Sequence, residues 1–392
     1  MKKISERIFY VGVNDSDKTL FEGLWPLPYG VSYNSYIVAD EKVALIDTVE
    51  NGFEDEFLGN IEEAVGERPI DYLVVNHMEP DHSSLISYML EKYPQLKVVA
   101  NSKTVPMLAG YYNVPQDRII VVAEGEALSL GSCSLSFYMV PMVHWPETMV
   151  TWLAEENTVF SGDAFGTFGE VTENLTDTGE TFEAYHDEMV RYYSNIVGKY
   201  GRPVQAALAK LGSFDIKRIC STHGPVWEKE IKDVVALYDR LSRGELVRGV
   251  CIAYGSMYGN TALAAQSLAA ELEKLGVPYA IHDLAGNNQE GLGVSGALRD
   301  AFLYDTIVVG SPTYNNGIYP PVETFMNALQ SRLVKNRRFY AFGSYTWSGA
   351  SVNLLNEKAA GMSFEVLGTG LSFPQAYSSE KCDMAEVAKL IS

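Results

Sequence analysis

The hydrophobic and polar positions of this chain follow two patterns, and the change between them lies near residue 243. In the first part, short apolar runs rich in β-branched and aromatic residues alternate with polar loops, which predicts strands. A longer amphipathic stretch at 228–243 and another at 181–193 predict helices. Strands are expected at residues 8–13, 36–39, 43–47, 72–76, 135–141, 158–161 and 218–221.

After residue 243 the order becomes strand, loop and helix, repeated along the chain. Such alternation predicts a doubly wound sheet of parallel strands covered by helices on both faces. A length of 392 residues exceeds the usual size of one domain, so we expect two domains, 1–243 and 244–392. Strands are expected at 247–254, 279–282, 306–310, 339–343 and 365–367, with a helix at 261–275.

Composition excludes several classes of protein. The formal net charge of -20 argues against nucleic acid as a partner, because phosphate binding needs clustered Lys and Arg. No apolar stretch reaches membrane length and no signal peptide is evident, so we expect a cytoplasmic protein with no membrane partner. Cysteine-ligated metal and disulfides are not indicated, since four cysteines lie far apart: Cys133, Cys220, Cys251 and Cys382.

Seven possible metal ligands follow the predicted strands, and together they can hold two metal ions. One cluster reads His-Met-Glu-Pro-Asp-His directly after the run 72–76, and three further ligands follow later apolar runs. Because the ends of successive strands gather along one edge of a sheet, distant positions can build one site. His186 and His282 lack this context and are interpreted as ordinary residues. The candidates are His77, Glu79, Asp81, His82, His144, Asp163 and His223.

These residues resemble the metallo-β-lactamase fold, an αββα sandwich whose hydrolases carry His-x-His-x-Asp-His followed by His, Asp and His. Glu79 stands where the zinc hydrolases have histidine, and a carboxylate there moves the ligand set from zinc toward iron. That substitution is the mark of the flavodiiron proteins.

The resemblance implies how the ligands are shared between two irons. His77, Glu79 and His144 would bind one ion, Asp81, His82 and His223 the other, and Asp163 would bridge both. Tyr193 matches a tyrosine that lies near the irons in that family and is the candidate catalytic residue, although a core aromatic is an equally good interpretation. Asp47 is expected to orient a ligand.

The loop 255–261 follows the strand 247–254 and precedes a helix, so its backbone N–H groups can surround a phosphate. It resembles the flavodoxin phosphate loop, Thr/Ser-x-Thr-Gly-x-Thr, with Tyr258 in place of the middle Thr. Two later loops at the same sheet edge combine aromatic, hydroxyl and glycine residues suited to a flat ring. FMN is preferred over FAD because no Gly-x-Gly-x-x-Gly fingerprint is seen. The flavin candidates are Ser256, Met257, Tyr258, Gly259, Asn260, Thr261, Pro312, Thr313, Tyr314, Asn315, Gly317, Ser344, Tyr345, Thr346, Trp347, Ser348 and Gly349.

By resemblance, the chain is expected to be an oxidoreductase that reduces O2 to water, NO to nitrous oxide, or both. Family members place the FMN of one subunit beside the irons of another, so a head-to-tail dimer or a dimer of dimers is expected. No Cys-x-x-Cys pair of a fused rubredoxin is present, so a separate donor is expected: a rubredoxin-like protein, a flavin reductase or a reduced soluble cofactor.

Two other classes remain open at this point. One is a metallo-β-lactamase-type zinc hydrolase fused to a flavodoxin-like electron-transfer module. The other is a flavodoxin-like carrier or binding module whose first half is structural. The preference between O2 and NO also remains open, because enzymes of either preference share the ligand set.

Overall fold

The computed structural model describes residues 1–286 and 292–392, which form two compact units. The first unit comprises Met1–Phe21, Leu27–Tyr193 and Tyr200–Arg243. The second comprises Glu22–Pro26, Ser194–Lys199 and Gly244–Ser392.

Short strands dominate the first 243 residues, as the alternating pattern predicts. The strands are β1 (Lys2–Lys3), β2 (Ile8–Tyr10), β3 (Val13–Asp15), β4 (Leu20–Phe21), β5 (Trp25–Pro26), β6 (Val31–Tyr33), β7 (Tyr36–Ala39), β8 (Val43–Ile46), β9 (Tyr72–Val74), β10 (Lys97–Asn101), β11 (Ile119–Val122), β12 (Ala127–Ser129), β13 (Ser134–Met139), β14 (Met149–Leu153), β15 (Thr158–Gly162) and β16 (Arg218–Ser221). The helices are α1 (Glu54–Val65), α2 (Pro80–Ser83), α3 (Ile86–Lys92), α4 (Thr104–Tyr112), α5 (Thr181–Tyr192), α6 (Gly201–Leu211) and α7 (Ile231–Arg243).

Two sheets form the core of this part. One has the order β1-β2-β7-β8-β9-β10-β11 and the other the order β12-β13-β14-β15-β16. Their apolar faces share one buried cluster, in which Val38 and Ile46 of the first sheet lie with Phe137 and Phe160 of the second. Burying these side chains between two sheets supplies the main driving force for folding here. The predicted sandwich is therefore confirmed.

The strand ends carry the candidate ligands to one edge. β15 and β16 are parallel neighbours, so Asp163 and His223, which follow them, emerge side by side. β8, β9 and β10 are also parallel, and His77 comes three residues after the end of β9. The expected strand 135–141 ends earlier, at Met139. Within the two large sheets, the strands that the pattern did not indicate are β1, β10, β11, β12 and β14.

The second part alternates strands and helices. Its strands are β17 (Val247–Tyr254), β18 (Tyr279–Asp283), β19 (Tyr304–Gly310), β20 (Thr313–Tyr314), β21 (Gly317–Ile318), β22 (Arg338–Tyr345), β23 (Glu365–Val366) and β24 (Leu371–Pro374). Its helices are α8 (Asn260–Lys274), α9 (Gly293–Leu303), α10 (Pro320–Ser331), α11 (Ala350–Gly361) and α12 (Met384–Ile391).

A parallel sheet of order β18-β17-β19-β22-β23 runs through this part, and β24 also pairs with β22. The predicted flavodoxin-like doubly wound sheet is confirmed. Its central strands β19 and β22 are buried on both faces, as a sheet covered by helices requires. The three loops singled out for the flavin follow β17, β19 and β22, at the carboxyl edge where such sheets bind ligands. Throughout the described ranges, no helix has the length and apolar character needed to cross a membrane.

Asn34 ties the loop between β6 and β7 to the turn that carries His223. Its side-chain Nδ2 donates to the carbonyls of Ser221 (2.9 Å) and Gly224 (2.8 Å), and its Oδ1 accepts from the Tyr10 hydroxyl (3.1 Å). The residue is fully buried. Because water cannot replace these bonds, the side chain is a structural support of the His223 turn.

We predict that Asn34→Ala lowers the free energy of unfolding of the N-terminal domain by about 2–3 kcal/mol, since it removes the partner of the buried Gly224 carbonyl and of the Tyr10 hydroxyl. The Ser221 carbonyl still accepts from the Tyr36 hydroxyl at 2.7 Å. The exposed Asn174, in the same domain, provides the control, and Asn174→Ala should change stability by less than about 0.5 kcal/mol. Urea unfolding of the metal-free variants measures both values. Equal stabilities of the two variants would contradict the role given to Asn34.

Candidate metal and flavin sites

The seven candidate ligands are all buried and come together in two groups. His77, Glu79, His144 and Asp163 offer atoms that lie within 4.8 Å of one another. A second group with the same spacing consists of Asp81, His82 and His223. Burial of so many ionisable side chains is costly unless they bind one another or a metal ion, so the clustering itself indicates a metal centre.

Asp163 lies between the two groups and turns a different oxygen toward each. Its Oδ2 is 3.1 Å from His144 Nε2 and 3.6 Å from His77 Nε2. Its Oδ1 is 3.3 Å from His82 Nε2 and 3.6 Å from His223 Nε2. A carboxylate in this position can bind one metal ion with each oxygen.

Each group also has a carboxylate of its own. Glu79 Oε2 lies 2.9 Å from His144 Nε2 and 3.6 Å from His77 Nε2. In the other group, Asp81 Oδ2 lies 3.2 Å from His223 Nε2. The two groups therefore offer similar sets of donors, each with two imidazoles, one carboxylate and a share of Asp163.

Local backbone geometry explains how a short turn supplies four of the donors. Glu79 has an extended conformation (φ −62°, ψ 134°) and Pro80 begins the short helix α2, which turns Asp81 and His82 back toward the strand end. Asp47 anchors the other side of the turn by accepting from the backbone and side-chain nitrogens of Asn76, at 2.8 and 3.2 Å. Its hydrogen bonds thus hold the residue before His77.

Seven buried nitrogen and oxygen atoms of the candidate ligands have no hydrogen-bond partner among the described residues, and these atoms test whether the residues suit metal ions. An unpaired buried polar atom costs about 1–3 kcal/mol, so their concentration at one place is unusual. The donor set of nitrogens and carboxylate oxygens suits iron or another transition metal. The residues therefore fit a two-metal centre. The unpaired atoms are His77 Nε2, Asp81 Oδ1 and Oδ2, His82 Nδ1 and Nε2, Asp163 Oδ2 and His223 Nε2.

Within the cluster, the carboxylates raise the pKa of neighbouring histidines, and the histidines lower the pKa of Asp163. Burial alone would lower the pKa of His82, but the charges of Asp81 and Asp163 outweigh it and raise the pKa to about 10. Burial would also lower the pKa of His144, but Asp163 and Glu79 raise it well above the usual value. Burial would raise the pKa of Asp163, yet the neighbouring imidazoles hold it well below the usual value.

Two of the histidines use Nδ1 for a fixed partner, which leaves Nε2 facing the cluster. His223 Nδ1 lies 2.7 Å from the Ser32 carbonyl oxygen, and His77 Nδ1 lies 2.7 Å from Glu147 Oε1. Such partners set the tautomer and orientation of a ligating imidazole. Sequence reasoning missed Glu147, although it lies only three residues after His144.

Tyr192, and not the predicted Tyr193, lies beside the cluster. Its ring centroid is 5.6 Å from that of His223, and burial together with the charge of Asp163 raises its pKa well above the usual value. Its hydroxyl is buried and has no hydrogen-bond partner within residues 1–286 and 292–392. Tyr193 packs against Tyr238, at 5.1 Å between ring centroids. α5 ends at Tyr192 and a π-helical turn follows, a feature common at functional sites.

A cavity of about 380 Å³ opens at the carboxyl edge of the second sheet, within the usual range for a small-molecule site. All three predicted loops line it. Gly259, Gly317 and Gly349 lie in the same loops without lining the cavity. Two lining residues that sequence reasoning missed are Asn316 and Gln375. The predicted residues that do line it are Ser256, Met257, Tyr258, Asn260, Thr261, Pro312, Thr313, Tyr314, Asn315, Ser344, Tyr345, Thr346, Trp347 and Ser348.

The end of the cavity at the start of α8 suits an anion. Gly259 has a positive φ of 85°, which turns the chain into the helix, and Ser256 Oγ accepts from the Gly259 and Ala262 nitrogens at 3.1 and 3.3 Å. The hydroxyls of Thr261 and Ser344 lie 3.0 Å apart at the same end. A helix N-terminus lined by hydroxyls is a favourable place for a phosphate group. Two aromatic side chains that line the cavity are largely exposed, Tyr258 (89%) and Trp347 (86%).

Comparison with protein families divides the chain in the same way as the fold. Residues 31–224 match the ODP family beta lactamase model, and residues 252–386 match the flavodoxin model. The two matches cover the metal-ligand cluster and the cavity respectively.

Full-length relatives share both parts. A nitric oxide reductase of Moorella thermoacetica is 29% identical over 367 residues, which is 93% of this chain and 90% of the relative. The structure of rubredoxin oxygen:oxidoreductase from Desulfovibrio gigas superimposes with a TM-score of 0.92 at 28% identity, covering 100% of this chain and 97% of that one. A flavodiiron protein from Giardia intestinalis gives a TM-score of 0.92 at 26% identity, covering 100% and 96%.

We predict that metal binding at pH 8 releases roughly two protons per chain, because ligating imidazoles must be neutral while His82 and His144 are protonated in the metal-free protein. Calorimetric titration with Co²⁺ in buffers of different ionisation enthalpy measures the number. His82→Gln should reduce it by about one, and His186→Gln, outside the cluster, should leave it unchanged.

The sign of the accompanying pH dependence follows from the raised pKa of His82. Its contribution to the stability of the metal-free fold is complete below its unfolded pKa of about 6.5 and is lost as pH rises toward 10. Metal affinity should rise over the same interval. Binding at pH 8 without proton release would contradict the charge assignment.

Proposed function

Because this chain has the two-domain architecture of the flavodiiron proteins, we propose that it is an oxidoreductase that reduces O2 to water, NO to nitrous oxide, or both. The observation that carries the proposal is the position of Asp163, which turns one oxygen toward each of two histidine groups. Relatives are named for reduction of nitric oxide and of oxygen, which favours this function over a zinc hydrolase. Glu79 in place of a histidine supports the same choice.

We assign the metal ligands as follows. His77, Glu79 and His144 would hold one iron, Asp81, His82 and His223 would hold the other, and Asp163 would contribute one oxygen to each. When bound, the two irons supply two electrons and coordination positions at which the gas is activated. The protein contributes a dry, buried pocket, since all seven ligands are less than one tenth exposed.

Tyr192 is the residue that we propose to act on the bound gas. Its hydroxyl is buried, has no hydrogen-bond partner in the described part of the chain and lies in the field of the Asp163 and Glu79 carboxylates. With its pKa well above the usual value, the phenol keeps its proton and can donate a hydrogen bond to a negatively charged oxygen. Tyr193 has its ring against Tyr238 and is given no such role.

We propose FMN as the occupant of the cavity in the second domain. The start of α8 with Ser256 and Thr261 would hold the phosphate, and the loops after β19 and β22 would enclose the ring, with Gln375 as a further contact. When reduced, FMN supplies the two further electrons that the reduction of O2 to water requires.

Assembly and location extend the proposal. The exposed Tyr258 and Trp347 at the rim of the flavin cavity support an assembly in which another protein surface covers them. We therefore propose a head-to-tail homodimer or a dimer of dimers, with electrons supplied by a separate rubredoxin-like protein, flavin reductase or soluble reductant. We also propose a domain boundary at residues 243 and 244, and a cytoplasmic location.

We predict that the protein purified from iron-replete cells is yellow and contains about one FMN and two irons per chain. Acid-released flavin and metal analysis give these values. Photoreduced protein mixed anaerobically with either O2 or NO should then be reoxidised by at least one gas. Stoichiometric zinc without iron, or a reduced protein inert to both gases, would contradict the proposed function.

We predict that Tyr192→Phe lowers the steady-state rate of gas consumption about ten-fold or more, because a hydrogen bond to a charged group is worth about 1.5–3 kcal/mol. Tyr193→Phe is the matched control and should retain the rate within about two-fold. A gas electrode measures both, with iron and FMN content checked to be unchanged. A larger loss for Tyr193→Phe than for Tyr192→Phe would reverse the assignment.

A further inference from the structure

Glu147 is a buried carboxylate that touches a candidate ligand from outside the cluster. Its Oε1 lies 2.7 Å from His77 Nδ1 and accepts from the Met78 backbone nitrogen at 3.1 Å. Its backbone carbonyl accepts from Asn101 Nδ2 at 2.6 Å, which holds the loop after His144 against β10. The side chain is fully buried, so this contact is not weakened by solvent.

No second charge offsets Glu147. Within residues 1–286 and 292–392, its only ion-pair partner is His77. Lys103, which lines the same cavity of about 360 Å³ as Glu147, directs its ammonium group to the Pro146 carbonyl at 3.3 Å. Lys210, near that cavity, pairs with Glu124 at 2.6 Å. The negative charge of Glu147 therefore acts mainly on the imidazole of His77.

In the other group, neither histidine has a carboxylate on Nδ1 among the described residues. The buried Asp47 lies close enough for its charge to act on His82, but its two oxygens accept hydrogen bonds from Asn76. His223 Nδ1 faces a neutral acceptor, the Ser32 carbonyl, also at 2.7 Å. His82 Nδ1 has no hydrogen-bond partner among the described residues. A carboxylate on Nδ1 increases the electron density at Nε2 more than a carbonyl does, and so strengthens the bond from that imidazole to a metal. The two groups thus differ in the partner on Nδ1: His77 has a carboxylate there, whereas His223 has a neutral carbonyl.

We propose that Glu147 is a positioning residue that makes the two metal positions unequal. Glu147 holds His77 with its proton on Nδ1, which leaves Nε2 free to bind a metal ion. The metal position formed by His77, Glu79 and His144 therefore binds a divalent ion more tightly than the other position. It also favours the ferric state of iron more strongly. The position of Asp81, His82 and His223 releases its ion first and is reduced first. This inference rests on the proposed two-metal centre and concerns the difference in metal affinity and reduction potential between its two positions.

The decisive experiment uses the full chain loaded with two Co²⁺ ions, which involves neither iron oxidation nor gas turnover. Excess chelator should remove the ions in two phases. Glu147→Gln should accelerate the slow phase about 10-fold to 100-fold, the range typical of lost partners behind metal ligands, and leave the fast phase unchanged. Glu147→Asp keeps the negative charge, so its slow phase of cobalt removal should have a rate closer to wild type than that of Glu147→Gln.

Glu124→Gln is the matched control, because Glu124 lines the same cavity and touches no candidate ligand. It should leave both phases unchanged. A redox titration of the iron-loaded protein gives an independent readout: Glu147→Gln should narrow the gap between the two reduction steps and lower the yield of the mixed-valence signal.

Equal acceleration of both phases by Glu147→Gln would indicate general loosening and overturn the proposal. Unchanged rates would overturn it as well. If Glu147→Gln fails to fold, Glu147→Asp decides, since loss of the slow phase despite a retained carboxylate would exclude the charge argument. Failure of gas reduction alone, with the cobalt result as expected, would count against the proposed function and not against this inference.

Discussion

Four imidazoles and three carboxylates share one buried space in the first half of the chain, and Asp163 makes that arrangement possible. A charge removed from water has to be paired, and this carboxylate is paired on both sides because its two oxygens face different histidine groups. Its position follows from the parallel pairing of β15 and β16, which also brings the Thr222 hydroxyl to 2.5 Å from Oδ1. The rest of the site is arranged around this one side chain.

The two candidate sites are held by different physical means. The metal cluster is fixed by buried side chains whose partners lie far away in sequence, such as Asn34 with Ser221 and Glu147 with His77. The flavin cavity is formed by loops at the end of a regular sheet, where backbone N–H groups and hydroxyls supply the polar contacts. The first site therefore depends on precise packing, whereas the second depends mainly on sheet topology and on the turn at Gly259.

Sequence patterns predicted the fold and the clustering of ligands because both depend on regular features. Alternating apolar runs identify strands, and polar residues at their ends identify the edge at which a site forms. Side-chain orientation has no such signal. Tyr192 and Tyr193 are neighbours whose side chains leave the helix about 100° apart, so only the rotation of α5 in the folded protein selects the one beside His223. Gln375 was missed because β24, which places it, is a short strand of mixed polarity.

The contact between Glu147 and His77 joins residues that are 70 positions apart, so the sequence pattern did not predict it. The pattern also did not predict the strand β14. The Met149 nitrogen donates to the Asn76 carbonyl at 2.9 Å, so this unpredicted strand supports the backbone just before the first ligand. Long-range pairs of this kind are specified by tertiary packing, which local propensity does not contain.

The pairing of protonated histidines with carboxylates also has a consequence for the maturation of the protein in a cell. Since these pairs hold the ligands together before any ion arrives, the polypeptide can complete folding first and acquire its metals afterwards. Selection of the ion then depends on which metal ions are supplied, because nitrogen and carboxylate donors bind Zn²⁺ more tightly than Fe²⁺ at equal concentration. Cells that make this protein under iron limitation would accumulate a correctly folded but mismetallated population.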